Sequence, residues 1–155
     1  MDANLMHISY EAGILEDPNV TPPDRMWLMT TDPRHAPDQP DVVMISFEKG
    51  LPTCVTHGST KITEALEIYA FLNNLAGKHG VGRLDIVESR FVGMKSRGCY
   101  ETPAGTVLLV AHRDLEGITT DREVLEMKSF MSKRFSTQVY NGLWFRHNAW
   151  LDLKL

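Results

Sequence analysis

Prolines are concentrated in one early stretch of the chain, and this stretch limits the fold more than any other feature. Six of the eight prolines lie between Asp17 and Pro40. They are Pro18, Pro22, Pro23, Pro33, Pro37 and Pro40. Each one fixes φ and removes a backbone hydrogen-bond donor, which excludes a regular helix or a central strand. The apolar cluster at 26–29 interrupts the prolines, so we predict a long ordered loop that packs on a neighbouring element.

The composition is that of one globular domain. The chain has 155 residues, of which 43% are hydrophobic and 23% are charged, and its net charge is −4. This acidic balance argues against nucleic acid or an anionic membrane as a partner, because both favour a basic face. The apolar runs are far shorter than the roughly 18 residues of a membrane span, and residues 1–4 do not resemble a signal peptide. We therefore expect a cytoplasmic protein.

Hydrophobic periodicity predicts strands and a helix after the loop. Residues 42–48 and 51–56 have the pattern of a β-hairpin that turns at Lys49-Gly50. Seven apolar residues then recur at helical spacing and predict an amphipathic helix that stops at Gly77 and Gly80. They are Ile62, Ala65, Leu66, Tyr69, Leu72, Leu75 and Ala76. Residues 84–92 predict a strand that is cleanly apolar on neither face.

The remaining segments predict a further strand and two helices. Residues 106–111 are rich in Val and Leu and follow a Pro-Ala-Gly turn, which indicates a buried strand. Thr120 and Glu123 have capping-box spacing and predict a helix to about Met131, after which Ser132 caps another. Strands and helices do not alternate regularly. We therefore predict the α+β class, with a mixed, largely antiparallel sheet and packed helices.

Glycine, cysteine and histidine patterns offer little chemistry. The glycines of 77–82 suggest a phosphate loop, but the segment follows a helix and leads into a strand, which favours a helix stop. Arg97 could lower the pKa of the Cys99 thiol, although a small half-buried residue is the favoured alternative. Two cysteines and six scattered histidines have no metal-ligand spacing, so we expect no metal site.

The densest polar segment runs from residue 88 to residue 102 on two predicted β-arms. Its polar side chains are Glu88, Ser89, Arg90, Lys95, Ser96, Arg97, Tyr100, Glu101 and Thr102. A carboxylate binds an ammonium group, a guanidinium binds a carboxylate and a phenol binds either, so the set suits a zwitterionic ligand. A solvated hairpin with weak surface ion pairs is the alternative from the pattern alone.

Five segments resemble the sequence signatures of the argininosuccinate synthase family. They are Asn4–Glu16, Gly77–Glu88, Phe91–Gly98, Tyr100–Thr106 and Thr120–Val124. The resemblance continues in register to about Trp144. It implies that residues 1–144 are part of the family's C-terminal synthetase domain and that residues 145–155 are an unmatched tail.

The resemblance implies a ligase of arginine biosynthesis and the urea cycle. The family joins citrulline and aspartate into argininosuccinate, and cleaves ATP, with Mg²⁺, to AMP and pyrophosphate. In the family the ureido oxygen of citrulline attacks the α-phosphate, and the amine of aspartate then displaces AMP. No protein nucleophile takes part, so placement and charge stabilisation carry the catalysis. The family is cytoplasmic and forms homotetramers, so we expect a homo-oligomer.

Three citrulline-binding residues carry over from matching motifs: Ser9, Glu88 and Tyr100. An ionised glutamate can pair with an ammonium group, and the two hydroxyls can hydrogen-bond the same amino acid. Lys95 and Arg97 also match, but no ligand contact is implied for them, and a structural role is at least as plausible. The resemblance implies no catalytic, cofactor-binding or metal-binding residue in this chain.

Parts of the family's pattern are missing from these 155 residues. They contain neither the Ser-Gly-Gly-Leu-Asp loop that holds ATP nor the aspartate-binding segment. We therefore expect an incomplete synthase that lacks the N-terminal nucleotide-binding domain and is inactive alone. Two alternatives stay open: a non-catalytic citrulline-binding or oligomerisation module, and one chain of a split enzyme.

Overall fold

The chain is represented by a computed structural model, which describes residues 1–145. All but the first residue of the predicted tail therefore lies outside the described residues. The strands are β1 (Asp2–Ala3), β2 (Ile8–Glu11), β3 (Met44–Glu48), β4 (Leu51–His57), β5 (Thr60–Ile62), β6 (Arg83–Ser89) and β7 (Lys95–Glu101). The helices are α1 (Ala65–Lys78), α2 (Pro103–Thr119) and α3 (Arg122–Tyr140). The chain divides within α2 into two compact units, residues 1–112 and residues 113–155.

The strands form two antiparallel sheets. The first has the order β1-β2-β7-β6 and the second the order β3-β4-β5. All neighbouring strands in both sheets run antiparallel. Antiparallel sheets together with three helices in the described chain confirm the predicted α+β class. None of these helices is long and apolar enough to cross a membrane.

One face of the four-stranded sheet is buried. Ile8, Tyr10 and Cys99 point to this face, where they pack with Leu15 in a buried cluster. Because successive side chains of a strand point to opposite faces, the residues between them lie on the other face. One face of the sheet therefore contributes to the core, and the alternate side chains of its strands lie on the other face.

The second sheet packs against α1. Val55 of β4 lies with Ile68 and Leu72 of α1 in a second buried cluster, which Ala104 of α2 completes. The predicted hairpin and helix are confirmed, although Ile62 belongs to β5 and not to the helix. The helix ends as predicted at its glycines.

The prediction of a buried strand at 106–111 is wrong, because these residues lie inside α2. A short apolar run does not by itself distinguish a strand from a helix. The deciding feature is Pro103, which occupies the first helical position, where a missing N–H costs nothing. The N–H of Thr106 then donates to the carbonyl of Thr102 at 3.0 Å, the i to i−4 bond of a helix. Ala104 and Leu108 meet the core at helical spacing.

The predicted break at Ser132 is also wrong, because α3 continues unbroken to Tyr140. Met131 and Phe135 are half-buried and Gln138 is buried, and their spacing of four and three residues puts them on one side of a helix that runs through the serine. The cap lies one residue later than predicted. The carboxylate of Asp121, and not the Thr120 hydroxyl, accepts from the N–H of Glu123 at 3.0 Å.

The proline-rich loop is ordered and packed, as predicted. It contains short 3-10 turns at Asp24–Met26 and Pro33–His35. Met26, Trp27 and Met29 pack against the buried face of the four-stranded sheet. The apolar cluster between the prolines thus anchors the loop to the core.

A buried carboxylate completes this anchor. The side chain of Glu101 is fully buried and accepts hydrogen bonds from the backbone N–H groups of residues 28, 29 and 30 at 2.9, 3.0 and 2.9 Å. The hydroxyls of Thr30 and Tyr10 donate to it as well, at 2.6 and 3.2 Å. Burial and this carboxylate raise the pKa of Tyr10 to about 12. Glu101 therefore holds the loop by five acceptor contacts, as a buried charge requires.

A second polar cluster holds the end of the loop. Asp41 accepts hydrogen bonds from His79 at 2.7 Å, Lys78 at 2.8 Å and His57 at 3.0 Å. These donors, led by His79, hold the pKa of the Asp41 carboxyl well below its usual range. The cluster ties Asp41, three residues before the start of β3, to the end of α1 and to β4.

Candidate functional site

The three residues marked by the family resemblance lie on one face of the four-stranded sheet. Ser9 of β2 stands directly opposite Tyr100 of β7, and Glu88 of β6 stands opposite Ser96 of β7. Ser96 and Tyr100 are an even number of residues apart on one strand, so their side chains share a face. This face is the one opposite the buried cluster of Ile8 and Cys99. The sheet register thus brings together residues that are 79 and 91 positions apart.

Tyr100 and Glu88 form a hydrogen bond at the centre of this face. The phenol hydroxyl donates to Glu88 Oε1 at 2.7 Å. Burial, followed by the Glu88 carboxylate, raises the pKa of Tyr100 to about 12. The phenol therefore stays protonated at neutral pH and keeps donating. Glu88 Oε2 has no such bond to Tyr100.

A glycine makes room for the tyrosine ring. A Cβ atom at Gly98 would lie 2.6 Å from the hydroxyl oxygen of Tyr100 and 2.8 Å from its ring carbons. Gly98 lies between Ser96 and Tyr100 on the same face of β7. The ring therefore extends along the strand over Gly98, and this direction carries its hydroxyl to Glu88.

Sequence reasoning missed a pair of charges beside this bond. Glu11 of β2 stands opposite Gly98, and its carboxylate accepts from Arg90 Nη2 at 2.6 Å. Arg90 Nη2 also lies 3.2 Å from the hydroxyl oxygen of Ser96. The sequence could have indicated Glu11, because side chains alternate between the two faces of a strand. Glu11 follows Ser9 by two residues and therefore shares its face. Arg90 was part of the polar segment, but the sequence did not indicate that it pairs with Glu11.

Arg97 has a structural role on the opposite side of β7. Its guanidinium forms two bonds to the Asp85 carboxylate, at 2.9 and 2.8 Å. It also donates to the carbonyls of Asp17 and Val20, at 3.1 and 2.9 Å, and so fixes the start of the proline-rich loop. The pKa of Asp85 is lowered by this pairing. Arg97 is therefore directed away from the face of Glu88.

Lys95 and Ser96 border a neighbouring cavity of about 500 Å³. Lys95 Nζ donates to the Ser89 hydroxyl at 2.8 Å, across the two strands of the hairpin. Leu15, Val87 and Met94 give the cavity an apolar lining. The register places Lys95, like Arg97, on the face away from Tyr100.

Cys99 is a packing residue. It is fully buried, and burial raises the pKa of its thiol to about 11. The Asp85 charge adds to this increase and outweighs the opposing effect of Arg97. The alternative in which Arg97 lowers the pKa of the Cys99 thiol is therefore wrong.

Within residues 1–145 there is no group of three His, Cys, Asp or Glu side chains that could hold a metal ion. The glycines after α1 end the helix, with Gly80 at φ 70°. The glycine segment therefore lies at a helix C-terminus and does not form the phosphate loop that its spacing suggested.

Comparison with known proteins identifies the family. The family model of the arginosuccinate synthase C-terminal domain matches residues 1–151. The argininosuccinate synthases of Xenopus laevis and Danio rerio are 54% and 57% identical to this chain, each over 94% of it. The human argininosuccinate synthase is 55% identical over 93% of it. The match covers only 36%, 36% and 35% of these relatives' lengths. The chain belongs to the argininosuccinate synthase family, and it corresponds to the C-terminal domain.

Proposed function

We propose that this chain supplies the citrulline-binding face of an argininosuccinate synthase. One observation carries the proposal: the register places Ser9, Glu88 and Tyr100 on the same sheet face, with the phenol bonded to the carboxylate at 2.7 Å. The bond to Tyr100 fixes one oxygen of Glu88 and leaves the other for an ammonium group. The hydroxyls of Ser9 and Tyr100 can hydrogen-bond other polar atoms of the same amino acid.

The proposed reaction is the ATP-dependent ligation of citrulline and aspartate to argininosuccinate, with release of AMP and pyrophosphate. This chain contributes placement and charge, because the family's mechanism uses no protein nucleophile. The nucleotide and its Mg²⁺ must be held by residues outside these 155. We therefore propose that the chain alone does not turn over and that it acts in arginine biosynthesis with a nucleotide-binding domain, in the same chain or in a separate one.

Citrulline binding to the 155-residue chain tests the site. We expect citrulline at millimolar concentration to shift the amide resonances of Ser9, Glu88 and Tyr100 in NMR spectra. Glu88→Gln should weaken binding about tenfold, because it removes a charged hydrogen-bond partner. Glu48→Gln, an exposed residue at the end of β3, is the matched control and should bind as the parent does. No shift in the parent, or equal affinity in Glu88→Gln, would contradict the proposal.

Complementation tests the reaction. We expect no AMP release from ATP, citrulline and aspartate with the pure chain. Addition of the N-terminal nucleotide-binding part of a synthase should restore AMP release, and the Glu88→Gln chain should restore far less. AMP release by the 155-residue chain alone would overturn the assignment of ATP binding to residues outside it. If citrulline binds but no complementation occurs, the non-catalytic citrulline-binding module becomes the better description.

We also propose that the protein acts in the cytoplasm as a homo-oligomer. Exposed apolar side chains in the second unit support assembly: Ile118 is 83% exposed, Phe130 67% and Met127 61%. Isolated apolar side chains are ordinary on a surface, but several on one pair of helices indicate a covered surface. Sedimentation equilibrium should give a mass above that of one chain, and a monomer at every concentration would contradict this part of the proposal.

A further inference from the structure

The site face carries three carboxylates, those of Asp2, Glu11 and Glu88, and one guanidinium, and they are not equally paired. Arg90 follows β6 in the hairpin turn, where its N–H donates to the carbonyl of Met94 at 2.7 Å. From there its side chain reaches back to Glu11 at 2.6 Å and to the Ser96 hydroxyl at 3.2 Å. The Glu88 carboxylate accepts only a neutral phenol among the described contacts.

This arrangement cancels the negative charge of Glu11 and leaves those of Glu88 and Asp2. The side chains of Arg90 and Glu11 are 49% and 36% exposed. Because they are only partly exposed, water screens their charges only in part, and the charges act on neighbouring groups of the face. Tyr100 responds to both members of the pair: Glu11 raises its pKa and Arg90 lowers it. The pair is therefore within electrostatic range of the Tyr100–Glu88 bond. The net result is that Glu88 is the uncompensated carboxylate beside Tyr100, while Asp2 lies exposed on the edge strand beside Ser9.

We infer that Arg90 is a specificity-determining residue, which neutralises Glu11 so that the site accepts an amino acid with one cationic group and a neutral side chain. This inference rests on the proposed function. Citrulline has one ammonium group and an uncharged ureido group. Ornithine and arginine carry a second cation, which Glu11 would attract if it were unpaired. With Arg90 in place, a second cation meets a neutral pair and the nearby guanidinium.

Ligand preference tests the inference directly. The dissociation constants of citrulline and ornithine are measured by NMR titration for the parent chain and for Arg90→Gln. We expect Arg90→Gln to strengthen ornithine binding relative to citrulline binding by about fivefold, which is the effect of one partly screened charge. The double variant Glu11→Gln/Arg90→Gln should return the ratio towards the parent value. High salt should reduce the effect, because exposed charges are screened.

Two controls separate charge from packing. Arg90→Lys keeps the cation and should keep the parent ratio even if the turn is slightly disturbed. Arg122→Gln removes an exposed arginine that pairs with a glutamate in α3, and it should leave the ratio unchanged. An unchanged ratio in Arg90→Gln, with citrulline still bound, would overturn the inference.

A measurement without ligand keeps this inference distinct from the proposed function. In the parent, pairing with Glu11 should slow rotation of the Arg90 guanidinium, so that its Nη resonances are separate in side-chain NMR spectra. In Glu11→Gln they should average. If the Arg90 Nη resonances are averaged in the parent, the pairing of Arg90 with Glu11 is refuted, whether or not citrulline binds. A parent chain that shows the pairing but no citrulline binding would refute the proposed function, and the specificity role with it.

Discussion

Glu101 accepts a 2.6 Å hydrogen bond from the hydroxyl of Thr30, a residue 71 positions earlier in the chain. This bond joins the end of β7 to the middle of the proline-rich loop. Arg83 strengthens the junction, because its Nε donates to the same hydroxyl and its Nη2 to the Thr30 carbonyl, both at 2.7 Å. The loop is therefore held by a buried polar network as well as by apolar packing.

Glu101→Gln should destabilise the fold. The amide keeps one acceptor oxygen but places an NH₂ group against the N–H of Leu28 or of Met29 and Thr30, so buried donors lose their partner. We expect a loss of about 3 kcal/mol in the free energy of unfolding, the cost of unpaired buried donors and a lost charged acceptor. Urea unfolding measures it, with Glu48→Gln as the exposed control. A loss below about 1 kcal/mol would show that the network is not a strong anchor.

Local sequence signals predicted the parts of the fold that local physics determines. The prolines of 17–40, the turn at Lys49-Gly50 and the periodicity of α1 each act within a few residues. The segment at 106–111 failed because its apolar run fits a strand or a helix equally, and only its position after Pro103 decides. Nothing local predicted that Glu101 would be buried, because its five donors come from distant strands and loops.

Acid should weaken the cluster at Asp41. The pKa of this carboxyl is lowered in the folded state, so its contribution to stability is present above the ordinary carboxyl value of 3.8 and is lost as the pH falls below it. The pKa of Asp32, beside Arg34, and the pKa of Asp85, beside Arg97, are lowered too and act in the same direction. We expect the urea midpoint to fall progressively as the pH is lowered below 3.8. Asp41→Asn should lower the midpoint at pH 7 and flatten this dependence; an equally steep curve in the variant would exclude a role for Asp41.

The two cysteines should differ in reactivity. Cys99 is fully buried with a pKa of about 11, whereas Cys54 is partly exposed. A thiol reagent at pH 8 should therefore label Cys54 first, and Cys99 should react only as the chain unfolds. Cys54→Ser should remove the fast phase and leave the slow one. Rapid labelling of Cys99 in the folded Cys54→Ser variant would be inconsistent with its burial.

The residues of the proposed site came from the family resemblance, but their arrangement in the sheet was not predictable from the sequence. The family resemblance named Ser9, Glu88 and Tyr100, and the resemblance alone could not say that Tyr100 bonds Glu88 or that Arg90 reaches Glu11. Both contacts depend on the register of three strands, which is set by pairing between distant segments. Alternation of side chains within β2 does place Glu11 on the same face as Ser9, so this part of the arrangement was predictable from the sequence.

Gly98→Ala should disrupt the site by a steric route. The new Cβ would lie 2.6 Å from the Tyr100 hydroxyl oxygen, so the ring must move and its bond to Glu88 must break. We expect a loss of about 2 kcal/mol in urea unfolding, the usual cost of overpacking. Gly117→Ala is the matched control, because nothing lies within 4 Å of its Cβ position in α2 and alanine favours a helix. In a Tyr100→Ala background Gly98→Ala should cost far less, since the ring it displaces is gone. If Gly98→Ala lowers the free energy of unfolding equally in both backgrounds, the strain does not arise from the tyrosine ring.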